Sequence, residues 1–283
     1  MKPFTIPVVG IGPGSQPAED PPQLLDLPRD ISGFVMPQVP ETDDRAHFDE
    51  ARDLIRQVVE AMAGDAGGSA VRLELTDLAP PTIDLLNQML LEGEVSALLT
   101  SPRGTVKIQE TNFAGVWRLL HYSAGGELVH DFLEICPVPE AILRFARESS
   151  QERLNLPAAP EGVMNSPSVL VELQEQAARY RAGDTPHVIN LTLLPLSPQD
   201  LAHLESSVPA GPVAILTRGY GKCRVSSTAL RHVWRVQYFN TMNTLILNTF
   251  EVVDIPEVVQ AAAEDLEDSR DRLRELLEWM DKE

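Results

Sequence analysis

Apolar residues recur at helical spacing from about Asp43 to Ala63. Phe48, Leu54, Ile55, Val58, Val59 and Met62 share one face there and predict an amphipathic helix. Gly64, Gly67 and Gly68 end it. The period then shortens to the alternation of strands. A strand over Ala70–Leu75 leads to a Pro-initiated helix over Pro80–Leu91. Four short strands follow near 95–100, 105–111, 114–122 and 127–135, separated by Gly-containing turns. The same order returns as a strand over Val188–Leu193, a helix over Ser197–Ser206, and strands near 212–217, 222–228, 231–239 and 244–252. Each set closes on a Pro-Glu helix start, Val138-Pro139-Glu140 and Ile255-Pro256-Glu257. Proline takes the tolerated first turn there, and the acid sits at the positive end of the helix dipole.

This recurrence is a repeat that relates residues 71–147 to 187–263, with an offset of 117 at the matched positions. Val116-Trp117-Arg118 falls on Val233-Trp234-Arg235. Ala97, Leu99, Thr100, Gly104, Thr111, Leu128, Glu134, Pro139 and Glu140 also meet identical partners, which makes 12 identities over the 45 positions from 97 to 141. Chance supplies about 3 for ordinary composition. The expected architecture is α+β: a tandem duplication of a β-α-β-β-β-β unit with flanking helices. A pseudo-twofold arrangement is expected because each unit leaves a sheet edge that gains by pairing.

The remaining segments fill in around the two units. Nine of the 23 prolines lie in the first 40 residues, which forbids a long helix or central strand and predicts an extended arm. The expected organisation is arm and first helix over 1–70, first repeat over 71–147, a linker with a helix near Ser166–Arg181 over 148–186, second repeat over 187–255, and an acidic helix over 256–283. In that last helix Val259, Ala262, Leu266, Leu273, Leu276 and Met280 alternate by three and four, interrupted by polar Ser269. Packing of this face on the body of its own chain is the preferred expectation, ahead of a contact with another protein.

Charge narrows the function. Lys+Arg number 23 against 42 Asp+Glu among 283 residues, for a formal net charge of −19. That balance excludes a sequence-independent grip on nucleic-acid phosphates and docking on anionic lipid. The N-terminus lacks the apolar core of a signal peptide, and no stretch reaches the ~18 apolar residues of a membrane span, so a soluble cytoplasmic protein is expected. The acid is uneven: residues 187–255 carry +1 while the last 28 carry −6.

No catalytic or cofactor constellation is visible, and the expectation is a non-enzymatic protein without a cofactor. Gly10-Ile11-Gly12-Pro13-Gly14 imitates a phosphate loop, but Ser15 replaces the third glycine and Pro17, Pro21 and Pro22 block the helix that must follow. Gly12, Gly14 and Gln16 are therefore assigned to a recognition arm. His121 and His130 flank the Ser123–Gly126 turn and face each other across a predicted hairpin. With Cys136 and nearby carboxylates they are the ligands of an alternative, metal- or cluster-handling reading. Cys136 and Cys223 belong to predicted strands and read as small buried hydrophobes. Glu134 and Glu251, at equivalent positions before the Pro-Glu helix starts, are expected to accept hydrogen bonds from local backbone N–H groups. The basic stretch of the second repeat supplies the candidate partner surface. Arg218, Tyr220, Arg224, Arg231 and His232 combine the residue types that dominate binding hot spots, whereas the two tryptophans read as core.

Several ordered segments resemble the HupH/HyaF family of [NiFe]-hydrogenase expression/formation proteins. They are Gly12-Pro13-Gly14-Ser15-Gln16-Pro17, Leu91-Glu92-Gly93-Glu94-Val95-Ser96, Gly162-Val163-Met164-Asn165-Ser166, Ile189-Asn190-Leu191-Thr192, Leu230-Arg231-His232-Val233-Trp234 and Ile255-Pro256-Glu257-Val258-Val259. One departure is that Val253 stands where other members often carry a cysteine, while Cys136 holds the equivalent place in the first repeat. The resemblance implies an accessory protein that assists assembly of a [NiFe] uptake hydrogenase. It further implies binding of the immature iron–sulfur small subunit or another accessory protein, with no established catalytic reaction.

Overall fold

The alternating segments do form strands, and all ten pair antiparallel in one sheet. The computed structural model describes residues 45–64, 70–156, 158–219 and 221–282. Gly12, Gly14, Gln16 and Tyr220 lie outside the described residues. The first half comprises α1 (Arg45–Ala63), β1 (Val71–Glu74), α2 (Pro80–Leu90), β2 (Val95–Ser101), β3 (Gly104–Glu110), β4 (Val116–Ser123), β5 (Leu128–Ile135) and α3 (Glu140–Glu148). The second comprises α4 (Ser166–Arg179), β6 (His187–Asn190), α5 (Pro198–Ser207), β7 (Ala210–Thr217), β8 (Lys222–Thr228), β9 (Val233–Phe239), β10 (Leu245–Val252), a 3₁₀ turn (Glu257–Val259) and α6 (Ala263–Met280). The sheet runs β1-β5-β4-β3-β2-β7-β8-β9-β10-β6, so it reads alike from either edge when counterpart strands are matched. Alone, each half would expose β2 or β7 as an unpaired edge. Pairing Val95–Leu99 with Val213–Thr217 removes both edges at once.

One face of the sheet carries a core shared by the two halves. Ala97, Leu99, Ile108 and Trp117 join Val213, Ile215, Val225 and Trp234 under Ala141 and Ile142 of α3 and under Val259. Both tryptophans are core, as expected, and each indole N–H donates to the carbonyl of a residue just past the last strand of its half. Trp117 reaches Cys136 at 3.0 Å and Trp234 reaches Asp254 at 3.0 Å. The second face carries two separate clusters: α1, α2 and α6 over Leu133 and Ile135, and α4 and α5 over Phe250 and Val252.

The 117-residue offset fails within β7. Ala210 pairs with Thr228 and Ala214 with Ser226, so Ser227 alone opposes Gly211, Pro212 and Val213. Proline has no N–H for the ladder and is accommodated in this bulge, while the Ser227 hydroxyl accepts the Val213 N–H at 3.2 Å. The bulge turns β7 over relative to β2. Leu99 lies in the shared core, whereas Leu216, its match by sequence, sits in register with Ser96 on the second face.

The C-terminal segment also departs from expectation. After Pro256 the chain makes only the 3₁₀ turn, then extends at Gln260 (φ −90°, ψ 138°) before α6 starts at Ala263 rather than at Glu257. Burial of Val259 in the shared core and a bond from Gln260 Nε2 to the Ile255 carbonyl (3.1 Å) hold this extension. It carries the chain to the first half. There Leu273, Leu276 and Met280 pack into the α1–α2 cluster, the intramolecular contact preferred from the sequence. Ser269, the polar interruption of the apolar stripe, accepts the Ala114 N–H at 2.8 Å. Gly115 (φ +81°) allows this approach, because a Cβ there would lie 2.4 Å from Leu266 Cδ2.

Two buried carboxylates organise the chain around the sheet. Glu134 accepts the Glu140 N–H at the start of α3 (3.1 Å) and the Arg72 guanidinium (3.0 Å), which is the backbone role expected of it. Glu251 instead accepts the Thr249 hydroxyl at 3.3 Å. Asp200, 1% exposed, caps two helices. Its Oδ1 takes the N–H groups of Met164, Asn165 and Ser166 at 2.8–3.0 Å, and its Oδ2 takes the N–H and hydroxyl of Ser197. Burial opposes the charge, but the N–H donors of Ser166, Ser197 and Asn165 outweigh it and hold the carboxyl well below its ordinary value of 3.8. The native state therefore binds this proton less readily than the unfolded chain, and the stabilisation is complete above the unfolded value and lost as pH falls through the folded one. Asp200→Asn is expected to cost about 3–5 kcal/mol at neutral pH. Urea denaturation should show that gap narrowing in acid; a gap constant from neutral pH into strong acid contradicts the capping role.

Candidate functional site

The sheet has an opening on either face, one between the halves and one within the first half. At the Val95–Thr217 end a cleft of about 570 Å³ is lined by Glu94 and Glu110 from the first half, by Gly219 and Tyr238 from the second, and by Val259 and Asp265 from the C-terminal segment. Glu94 packs against the backbone of Gly219, where a Cβ would lie 2.0 Å from Glu94 Oε2, so a side chain at 219 would close this corner. Glu110 is 9% exposed. Burial pushes its carboxyl up to about 7; the Gly115 and Val95 N–H groups oppose the rise, and the Glu94 and Asp265 charges add to it. A carboxyl so placed exchanges its proton near neutrality when a cation or a donor enters. Deeper on this face Cys223 and Tyr238 are register partners, and burial first of all raises each to about 12.

On the second face a recess of about 610 Å³ runs beside α2, walled by Leu86, Leu90, Leu98, Leu120 and Leu133, with Lys107 and Ser96 among its polar groups. Arg118 at its edge is engaged by Asp131 through Nε (3.0 Å) and Nη2 (2.7 Å), and by Asn87.

The basic stretch of the second half is divided by the fold. Arg218 follows β7, where its N–H donates to the Glu94 carbonyl (3.1 Å), and Arg224 lies on β8 over the Phe239 ring at 5.5 Å. Arg231 and His232 sit in the turn at the opposite end of β8. Arg231 bonds Glu152 at 2.8 Å. His232, at φ 62°, packs tilted against the Tyr180 ring with centroids 5.0 Å apart and faces Asp254 at 3.3 Å. A β-hairpin carries its flanking turns to opposite ends, so residues adjacent in sequence do not form one patch.

The candidate metal ligands are separated likewise. His121 and His130 are register partners with ring centroids 6.3 Å apart, and desolvation, then His130, holds the His121 imidazole low. Cys136 lies past the other end of β5, 3.6 Å from Glu134, and burial raises its thiol far above the ordinary range. Among the described residues no three His, Cys, Asp or Glu side chains converge as a metal site. Nor is any described helix long and apolar enough to cross a membrane. Sequence reasoning passed over Glu110, Ser96 and Lys107. The signal available for them was their place on β2, which borders the seam, and on β3 beside it.

The family model described as the HupH hydrogenase expression protein C-terminal conserved region matches residues 50–156 and 163–280, and the chain belongs to this family. Among individual relatives, it is 43% identical to the hydrogenase expression/formation protein HoxQ of Cupriavidus necator over 282 residues, covering 99% of each chain. It is 32% identical to the hydrogenase-1 operon protein HyaF of Escherichia coli, covering 95% of each. A solved structure of the hydrogenase expression protein HupH from Thiobacillus denitrificans is 25% identical and covers 40% of this chain and 95% of that one, with a TM-score of 0.38.

The Glu110 carboxyl yields a pH test. Its folded value lies above the unfolded one, so its contribution is most favourable below about 4.5 and is lost as pH rises through about 7. Relative to the parent protein, Glu110→Gln should gain up to about 3 kcal/mol between pH ~4 and pH ~8. Denaturation midpoints at the two values measure this, and an equal difference at both contradicts the burial account.

Proposed function

We propose that this protein acts in hydrogenase maturation as a non-catalytic assembly chaperone or scaffold. In this reading it binds the immature iron–sulfur small subunit of a [NiFe] uptake hydrogenase or another hydrogenase accessory protein. The observation that carries the reading is relatedness over nearly the full length to proteins named for hydrogenase expression and formation. The seam supports it physically, since both halves contribute to the cleft of about 570 Å³, which is large enough to receive side chains of a partner. We also infer that the halves arose by tandem duplication. The matched strand order and the family model's coverage of each half support this.

Co-purification of the tagged protein from cells carrying the hydrogenase operon tests the proposal. A hydrogenase subunit or accessory protein should accompany it, most strongly when maturation is arrested. Recovery of the protein alone from arrested cells overturns the reading.

A further inference from the structure

We propose that the second face of the sheet, where it crosses the seam between α2 and α5, is a docking groove for an acidic amphipathic helix of a partner protein. Only the partner's identity rests on the assembly reading above; the chemistry of the groove does not. Its floor is the run of residues in register across four strands. Gln109, Ser96, Leu216 and Arg224 form one row, and Lys107, Leu98, Ala214 and Ser226 the next. Leu98 and Leu216 are half-buried, so the floor offers apolar contact that neither helical cluster covers.

The Ser96 hydroxyl points to a ligand. Ser96 is 6% exposed and lines the recess, yet its Oγ has no hydrogen-bond partner. Such a group costs about 1–3 kcal/mol until something supplies the bond. Gln109 beside it is already spent, its amide donating to the carbonyls of Gly93, Val95 and Glu110. A carboxylate or amide oxygen entering the recess would accept from Ser96.

Charge fixes the occupant's sign. Lys107 and Arg224 stand on this face on either side of the seam, Lys107 exposed with Nζ 5.1 Å from the Tyr122 centroid and Arg224 over Phe239. Glu92 is the carboxylate lining the recess. In a chain of −19 this is a local reversal, and it favours an acidic partner. Backbone chemistry fixes the occupant's form. β2 and β7 are paired on both sides, so a docked segment gains no ladder bonds and must satisfy its own backbone, as a helix does.

The test uses a labelled synthetic helix with Leu at i, i+3, i+4 and i+7 and Glu on its flanks, together with its Lys-for-Glu twin. Fluorescence anisotropy against the full chain should show binding of the Glu peptide that weakens with salt, and little binding of the Lys twin. Lys107→Glu with Arg224→Glu should weaken the Glu peptide by about tenfold or more. The control Arg179→Glu with Arg274→Glu changes net charge equally at exposed positions away from the seam and should leave binding unchanged. If the reversal fails to fold, Lys107→Gln with Arg224→Gln makes the same comparison. Equal binding by all variants, preference for the Lys twin, or no binding overturns the groove. This result is separate from the co-purification, which involves no synthetic peptide.

Discussion

The antiparallel pairing of β2 with β7 is the constraint on which the rest of the molecule depends. Each half-sheet has a helical cluster on its second face and an apolar surface on the other, and the two apolar surfaces form one core. Pairing along Val95–Leu99 and Val213–Thr217 closes two edges and brings Ala97, Leu99, Val213 and Ile215 into one layer. The buried tryptophans, α3 and Val259 then act on a single shared core. The crossing of the C-terminal segment onto α1 fastens the same junction from outside the sheet.

The openings follow from this junction. On the shared face the first half supplies α3, which packs across the seam on β7 and β2, while the second half supplies only a 3₁₀ turn on β7, and the Glu110 cleft opens beside that turn. The opposite face is covered at its two ends by separate helical clusters, so its middle stays accessible and carries Lys107 and Arg224. One side of the junction is thus acidic and the other basic, an asymmetry that the net charge conceals.

Much of this was legible in the sequence because strand alternation and proline-initiated helices are local signals. The helices, the ten strands and the buried tryptophans were all readable from spacing. What escaped depended on pairing. Pro212 forces a bulge that turns β7 over, and no aligned identity reports that. Ser269 looked like a flaw in an apolar stripe until Ala114, 155 residues away, was found to need its oxygen. Asp200 stands at an ordinary helix-start position, yet it binds three N–H groups of a segment more than thirty residues earlier. The basic stretch from Arg218 to Arg235 looked continuous, and only the hairpin shows that its two ends serve different places.

Hydrogen exchange at the junction tests the account most directly. The amides of β2 and β7 that bond across the seam should exchange only through global unfolding, with protection equal to that of β4 and β9 beneath the two tryptophans. Exchange of the β2 and β7 amides far faster than those of β4 and β9 would show two half-sheets that merely touch, contradicting the single shared core.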